Sequence, residues 1–189
     1  MNPQNRSRAY LILVVLVFAA PIVTAFALNR FGWRPVAERN YGTLVEPARD
    51  YRGHPARTAD GTRIDWNNAG GVFHVVVPMP AACGAPCLEL VDSLERLWLG
   101  LAKRAPRVRM LVVAAADAEL DAAIARAPHV TRVELAPDPF EHPAPVAIEA
   151  ERRSALPAYI VDPNGYLVMR YDAGFDPAGL RRDLTRLVR

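Results

Sequence analysis

The chain opens on a hydrophobic run. Ala9 to Leu28 (AYLILVVLVFAAPIVTAFAL) carries no charge over 20 residues. As a helix it would span about 30 Å, the thickness of a bilayer's hydrocarbon core. Arg6 and Arg8 precede it; Arg30, Trp33 and Arg34 follow, as at the ends of an uncleaved anchor. A cleaved signal peptide would want a shorter apolar core, although Ala25-Phe26-Ala27 offers a small-x-small site. Length and flanks favour the anchor. Pro21 is tolerated in such a helix, and with no cysteine after the run a lipoprotein is excluded. Arg6 and Arg8 are nearly balanced by Arg30, Arg34 and Arg39, so charge alone gives no orientation.

Behind the run, residues 29–57 are polar, contain Pro35, Pro47 and Pro55, and are read as a juxtamembrane linker. Asp60-Gly61 signals a turn before a short strand at Thr62 to Trp66. Val72 to Val77 is β-branched and apolar on both faces, the pattern of a buried parallel strand. From Pro86 to Lys103, Leu90, Val91, Leu94, Leu97, Trp98 and Leu101 recur at helical spacing. Val108 to Ala114 predicts a second buried strand, and Asp117 caps a helix running to about Ala127. Val130 to Leu135 reads as a third strand. Residues 136–147 hold four prolines and read as a surface loop.

Two further apolar stretches, Ala158 to Val161 and Tyr166 to Met169, flank Asp162-Pro163-Asn164-Gly165, a tight-turn sequence that predicts a β-hairpin. Asp176 then caps a last helix with Pro177 in its first position and Leu180, Leu184 and Leu187 on one face. Right-handed crossovers make the first half a parallel βαβ unit. The second half adds an antiparallel hairpin backed by a helix. The expected fold is α/β: a thioredoxin-like domain, a central mixed sheet flanked by helices, over residues 58–189, behind one N-terminal transmembrane helix.

Composition narrows the field. The 189 residues are 51% hydrophobic, enough for a true core, with a formal charge of +3. That excess is too mild and too dispersed to argue for nucleic acid. Two cysteines exclude a disulfide-dense scaffold and a four-cysteine zinc site. Phosphate loops and paired-carboxylate motifs are absent, and no histidine pairs with either cysteine as hydrolysis would need.

Both cysteines, Cys83 and Cys87, fall in Cys-Gly-Ala-Pro-Cys, at the junction of the first buried strand and the first long helix. A helix N-terminus carries unpaired N–H groups and partial positive charge, which stabilise a thiolate. Four residues apart, the sulfurs can lie on one side of the first turn. They could close a disulfide or offer two soft ligands to one metal ion. A static disulfide or two inert thiols is the plainer alternative.

Anchor, domain order and CxxxC together resemble the Sco/SenC family of cytochrome c oxidase assembly proteins. The C-terminal stretch ALPAYIVDPNGYLVMRYDAGFDPAGLRRDLTRLVR is similar to the ends of Sco-like proteins, as is Asn40-Tyr41-Gly42-Thr43-Leu44-Val45. The resemblance implies residues 1–8 in the cytoplasm, 9–28 in a bacterial inner membrane, and the domain in the periplasm. It implies partners among cytochrome c oxidase subunits or other copper-assembly proteins. The implied role is delivering copper or reducing the cysteines that receive it.

One departure separates the chain from that family. The histidine that completes the family's copper site is missing; Arg153 or Ser154 falls at its position. Pro157 stands eight residues before Gly165, the spacing of the thioredoxin cis-proline to the hairpin glycine. A cis-proline facing the cysteines would align a substrate backbone for thiol exchange; an ordinary trans proline at a strand start is the alternative. Other donors for Cu(I), which favours thiolate and thioether ligands, are Met79 and His142, with His74 and His129 read as structural or surface residues. Three functions stay open. They are a thiol–disulfide oxidoreductase with Cys83 attacking, Cys87 resolving and Pro157 positioning substrate; a copper chaperone with Cys83 and Cys87 as ligands; and a redox-silent assembly scaffold.

Overall fold

A computed structural model describes residues 3–31, 40–81, 84–136, 139–140 and 154–188. The chain divides into two compact units, Met1–Arg39 and Asn40–Arg189. The first holds one helix, α1 (Pro3–Arg30). Its segment Tyr10–Leu28 is long and apolar enough to cross a membrane. Within it Thr24 Oγ1 donates to the Ala20 carbonyl, 2.7 Å, which spares the hydroxyl an unmet donor in an apolar stretch.

The second unit is built on one mixed sheet. Its strands are β1 (Thr43–Asp50), β2 (Ala56–Thr58), β3 (Arg63–Ile64), β4 (Phe73–Pro78), β5 (Val108–Val113), β6 (Val130–Leu135), β7 (Ala158–Val161) and β8 (Tyr166–Tyr171). The spatial order is β1-β8-β7-β4-β5-β6-β2-β3. β4, β5 and β6 run parallel, and β7 lies antiparallel beside β4. Helices α2 (Gly84–Leu99) and α3 (Ala118–Ala125) make the crossovers. A 3₁₀ helix, Ala102–Arg107, leads from α2 into β5, and α4 (Pro177–Leu187) closes the domain.

Burial on both faces explains why Val75, Val76 and Val77 can be apolar without alternation. Val75 and Val77 enter one core with α2, α3 and α4, while Val76 enters another with Tyr51, Trp66 and Phe140. Two successive right-handed crossovers in one direction keep α2 and α3 on the same face. The predicted strands, helices and hairpin are therefore present. Asp117 caps α3 by accepting the Leu120 N–H at 2.8 Å, and Asp176 caps α4 by accepting that of Ala178 at 2.8 Å. At the hairpin, Asp162 Oδ1 accepts from the N–H groups of Asn164 and Tyr166, and Gly165 has φ +85°.

The supposed linker needs correcting. Thr43–Asp50 is the edge strand β1, paired with β8, and Ala56–Thr58 pairs with β6. Polar sequence was misleading there because an edge strand exposes much of its surface, and β1 is largely exposed along its length. The expected surface loop over 136–147 lies mostly outside the described residues; within it, Phe140 is buried against Tyr51 and Tyr159.

The start of the domain is fixed by a buried carboxylate on α4. Asp183, 1% exposed, accepts the N–H of Tyr41 at 2.7 Å and of Gly42 at 3.0 Å. It also accepts the Tyr171 hydroxyl at 2.9 Å and pairs with Arg186 at 3.2 Å. Burial, and then this carboxylate, push the Tyr171 phenol well above its ordinary value. Gly42 is required here, since a Cβ would fall 2.5 Å from the Tyr171 ring.

His74 predicts an acid-sensitive fold. It is buried on β4 against the edge of Trp66, ring centroids 5.3 Å apart, and its Nδ1 has no hydrogen-bond partner. Burial, and then the Arg109 cation, push its pKa down to about 4 from an ordinary 6.5. Below pH 6.5 the unfolded chain takes up a proton that the folded chain refuses until about pH 4. Stability therefore falls as pH drops through that window, by about 2 kcal/mol at pH 4.5. Urea unfolding followed by tryptophan fluorescence at pH 7 and 4.5 checks this. His74→Leu is expected to flatten the dependence.

Candidate functional site: a disulfide at the head of a helix

Parallel strands end together, so β4 and β5 open their C-terminal ends on the same side of the sheet. After β4 the chain runs through Met79, Pro80 and Ala81; after β5 it runs through Ala114, Ala115, Ala116 and Asp117. The Met79 N–H donates to the Val113 carbonyl at 2.9 Å, which ties the first segment to the second strand. Between the two segments lies a cleft, lined also by Gly84, Cys87, Leu88, Glu119 and Leu120.

α2 starts at the cleft's edge. Gly84, Ala85 and Pro86 are exposed, while Cys87 in the same first turn is 3% exposed and disulfide-bonded. Pro86 costs the helix nothing there, because N–H groups of a first turn have no partner within the helix. The apolar stripe of Leu90, Val91, Leu94 and Leu97 seats α2 on the sheet and thereby fixes Cys87 at the end of β4. Cys83 lies outside the described residues.

Met79 and Cys87 line one cleft, so a thioether and a sulfur of the CxxxC motif are brought together. His142 lies outside the described residues. His74 sits near the opposite end of β4 among Trp66 and its neighbours. His129 stacks on Trp98 at 3.5 Å and meets Glu95 at 2.6 Å, a pairing on the far side of α2 from its first turn. Among the described residues, no three His, Cys, Asp or Glu side chains come together as a metal site.

Ser154, at or beside the position of the missing histidine, is buried and fully occupied. Its hydroxyl donates to the Leu156 carbonyl at 2.7 Å and accepts that residue's N–H at 3.3 Å. Its backbone bonds Phe175 and Gly174. Arg153, the other residue at that position, lies outside the described residues.

The cis form expected at Pro157 is not adopted. Among the described residues Glu46–Pro47 is the one cis peptide, so Leu156–Pro157 is trans. Register still brings Pro157 to the right end of the sheet. Val76 faces Tyr159, and two steps further Pro157 comes level with Pro78. It is not among the residues lining the cleft.

Sequence reading missed the rim formed by Ala114–Asp117 and Glu119. Asp117 was legible as a cap, and its position after a parallel strand neighbouring β4 was the signal that it also borders the site.

A mixed sheet flanked by helices, with a disulfide in the first turn after its central strand, defines a thioredoxin-like protein. The chain belongs to the family described as "Transmembrane-like, thioredoxin-like, C-terminal domain", whose model matches residues 73–189. No curated protein matches it. Solved structures similar in fold include apo Sco1 from Thermus thermophilus, 16% identical, covering 81% of this chain and 99% of that one, with a TM-score of 0.55. BsSco, described as a member of the Sco family of cytochrome c oxidase assembly proteins with a disulfide switch, is 12% identical. It covers 77% and 98% of the two chains, with a TM-score of 0.51. Arabidopsis thaliana ScoI, solved with copper bound, is 11% identical over 79% and 98%, with a TM-score of 0.50. At such identities the likeness is one of fold.

Proposed function

We propose that the protein is a membrane-anchored, periplasmic thiol–disulfide oxidoreductase of Sco-like type, serving cytochrome c oxidase maturation by reducing target cysteines that receive copper. The observation that carries this reading is the disulfide-bonded Cys87 lining an open cleft at the head of α2. With two cysteines in the chain, its partner is Cys83, which directly precedes Gly84. In the reduced protein, the Cys83 thiolate attacks a target disulfide, forming a mixed disulfide and releasing one target thiolate. The Cys87 thiolate then attacks Cys83 Sγ and releases the second. Two electrons pass to the target, and a dithiol reductant must reset the pair. The helix N-terminus favours the attacking thiolate, and the buried Cys87 is shielded from competing partners.

The test is equilibration of the protein with glutathione redox buffers. A single two-electron transition is expected, absent from the Cys83→Ser/Cys87→Ser variant. A pair that stays oxidised in millimolar dithiol would instead mark a static disulfide and leave the scaffold reading.

Met79, lining the same cleft as Cys87, favours a second reading, in which Cu(I) is cargo held by Cys83, Cys87 and the Met79 thioether. Titration of the reduced protein with Cu(I) against a chromophoric chelator separates the two. Tight one-to-one binding, lost in the double serine variant and weakened about tenfold or more by Met79→Leu, is the expected result if copper is carried. Binding no tighter than that of the double variant would eliminate copper transport.

A further inference from the structure

We propose that the surface formed by the last turn of α2, the 3₁₀ helix and α4 docks on anionic phospholipid headgroups of the membrane that the chain's own N-terminal helix crosses. The inference rests on the anchor reading above and goes beyond it, because it assigns the domain an orientation. Arg96, Lys103 and Arg181 are exposed there, and Arg104 is held in place by its Nε–H on the Val188 carbonyl, 3.0 Å. Gly100 lets Arg181 lie across the end of α2: a Cβ at Gly100 would come 3.1 Å from Arg181 Cδ and Nη1. Between these cations Leu99 is 58% exposed and Leu187 36%.

Cations interleaved with exposed apolar side chains are the composition of a surface that settles into a headgroup layer. The carboxylate of α4, Asp183, does not oppose them, since it is buried and already bonded to four partners. A membrane is favoured over a nucleic acid or an acidic protein by where the domain begins. Tyr41 lies under the Arg182 guanidinium, 5.3 Å from ring centroid to cation, and its N–H is held by Asp183. Residues 29–40 separate it from Leu28, a stretch that extends no more than about 45 Å. The tether so holds α4 at high effective concentration beside the headgroups.

Orientation follows from the length of α2. Cys87 is in its first turn and Leu99 is its last residue, about 18 Å apart along the axis. Docking through the Leu99 end therefore turns the cysteine end away from the bilayer, toward soluble domains of partner proteins.

The test uses the full chain in vesicles carrying a headgroup photo-crosslinking lipid, made either of phosphatidylcholine alone or with 30 mole per cent phosphatidylglycerol (roughly the share that gives a strong surface potential). Labelled peptides are mapped by mass spectrometry. Segments 96–104 and 181–187 are expected to be labelled about fivefold or more above 56–64, at the β2–β3 edge of the sheet, and only with the anionic lipid. Lys103→Glu/Arg181→Glu, folded by circular dichroism, is expected to remove that labelling while α1 stays labelled. Equal labelling with and without phosphatidylglycerol, no labelling beyond α1, or an unchanged signal in the charge-reversed variant would each overturn the proposal. An unlabelled α1 would overturn the anchor reading itself, and the docking with it.

Discussion

Cys83→Ser is expected to lower thiol–disulfide exchange on the order of a hundredfold or more, because a serine hydroxyl does not ionise near neutral pH. Cys87→Ser is expected to behave differently: attack still occurs, and the mixed disulfide with the target accumulates because nothing resolves it. The asymmetry follows from the first turn of α2, where Gly84 to Pro86 are exposed and Cys87 is 3% exposed beneath them. Mass spectrometry of the protein after mixing with a disulfide-bonded peptide reads both results. Equal trapping by the two serine variants would assign attack to either sulfur and remove the distinction. No trapping by either would return the pair to a structural role.

Asp183→Ala is expected to cost about 3–5 kcal/mol, the largest stability loss predicted for any single position here. The substitution strips the N–H groups of Tyr41 and Gly42 and the Tyr171 hydroxyl of their acceptor at once. Arg186 loses its ion pair as well, but that residue is half exposed and water replaces the contact at little cost. Asp183→Asn keeps one acceptor oxygen and is expected to lose about half as much. Denaturant unfolding of the two variants measures the difference, and hydrogen exchange at Tyr41 and Gly42 locates it. A loss under 1 kcal/mol for the alanine variant, with both amides still protected, would show that packing suffices to hold the segment, through Tyr41 lying so close to Gly179 that a Cβ there would fall 2.8 Å from it.

The three helices, the parallel strands and the hairpin of the domain were legible because each depends on local rules. Asp117 and Asp176 cap because a carboxylate beside free N–H groups is favourable wherever it occurs. Val75 to Val77 read as a central strand because only a strand covered on both faces tolerates that run. The place of Cys87 in the first turn of the helix after β4 was legible for the same reason, since it is written in the order of residues.

What the sequence by itself determined is thus the αβ order, the apolar N-terminal helix and the place of Cys87 in the first turn of α2. Tertiary structure decided the rest, because it depends on residues far apart in the chain. β1 exists only because β8 offers it a ladder, across more than a hundred residues of sequence. Met79, Cys87 and Ala114 to Asp117 line one cleft only because β4 and β5 end side by side. Pro157 is trans, and Ser154, buried before it, bonds Leu156 through its hydroxyl and Phe175 and Gly174 through its backbone. Asp183 looks like one more surface acid of a basic helix until Tyr41, Gly42 and Tyr171 close over it. A buried carboxylate is stable only where every oxygen has a donor, and the chain assembles those donors from three separate places.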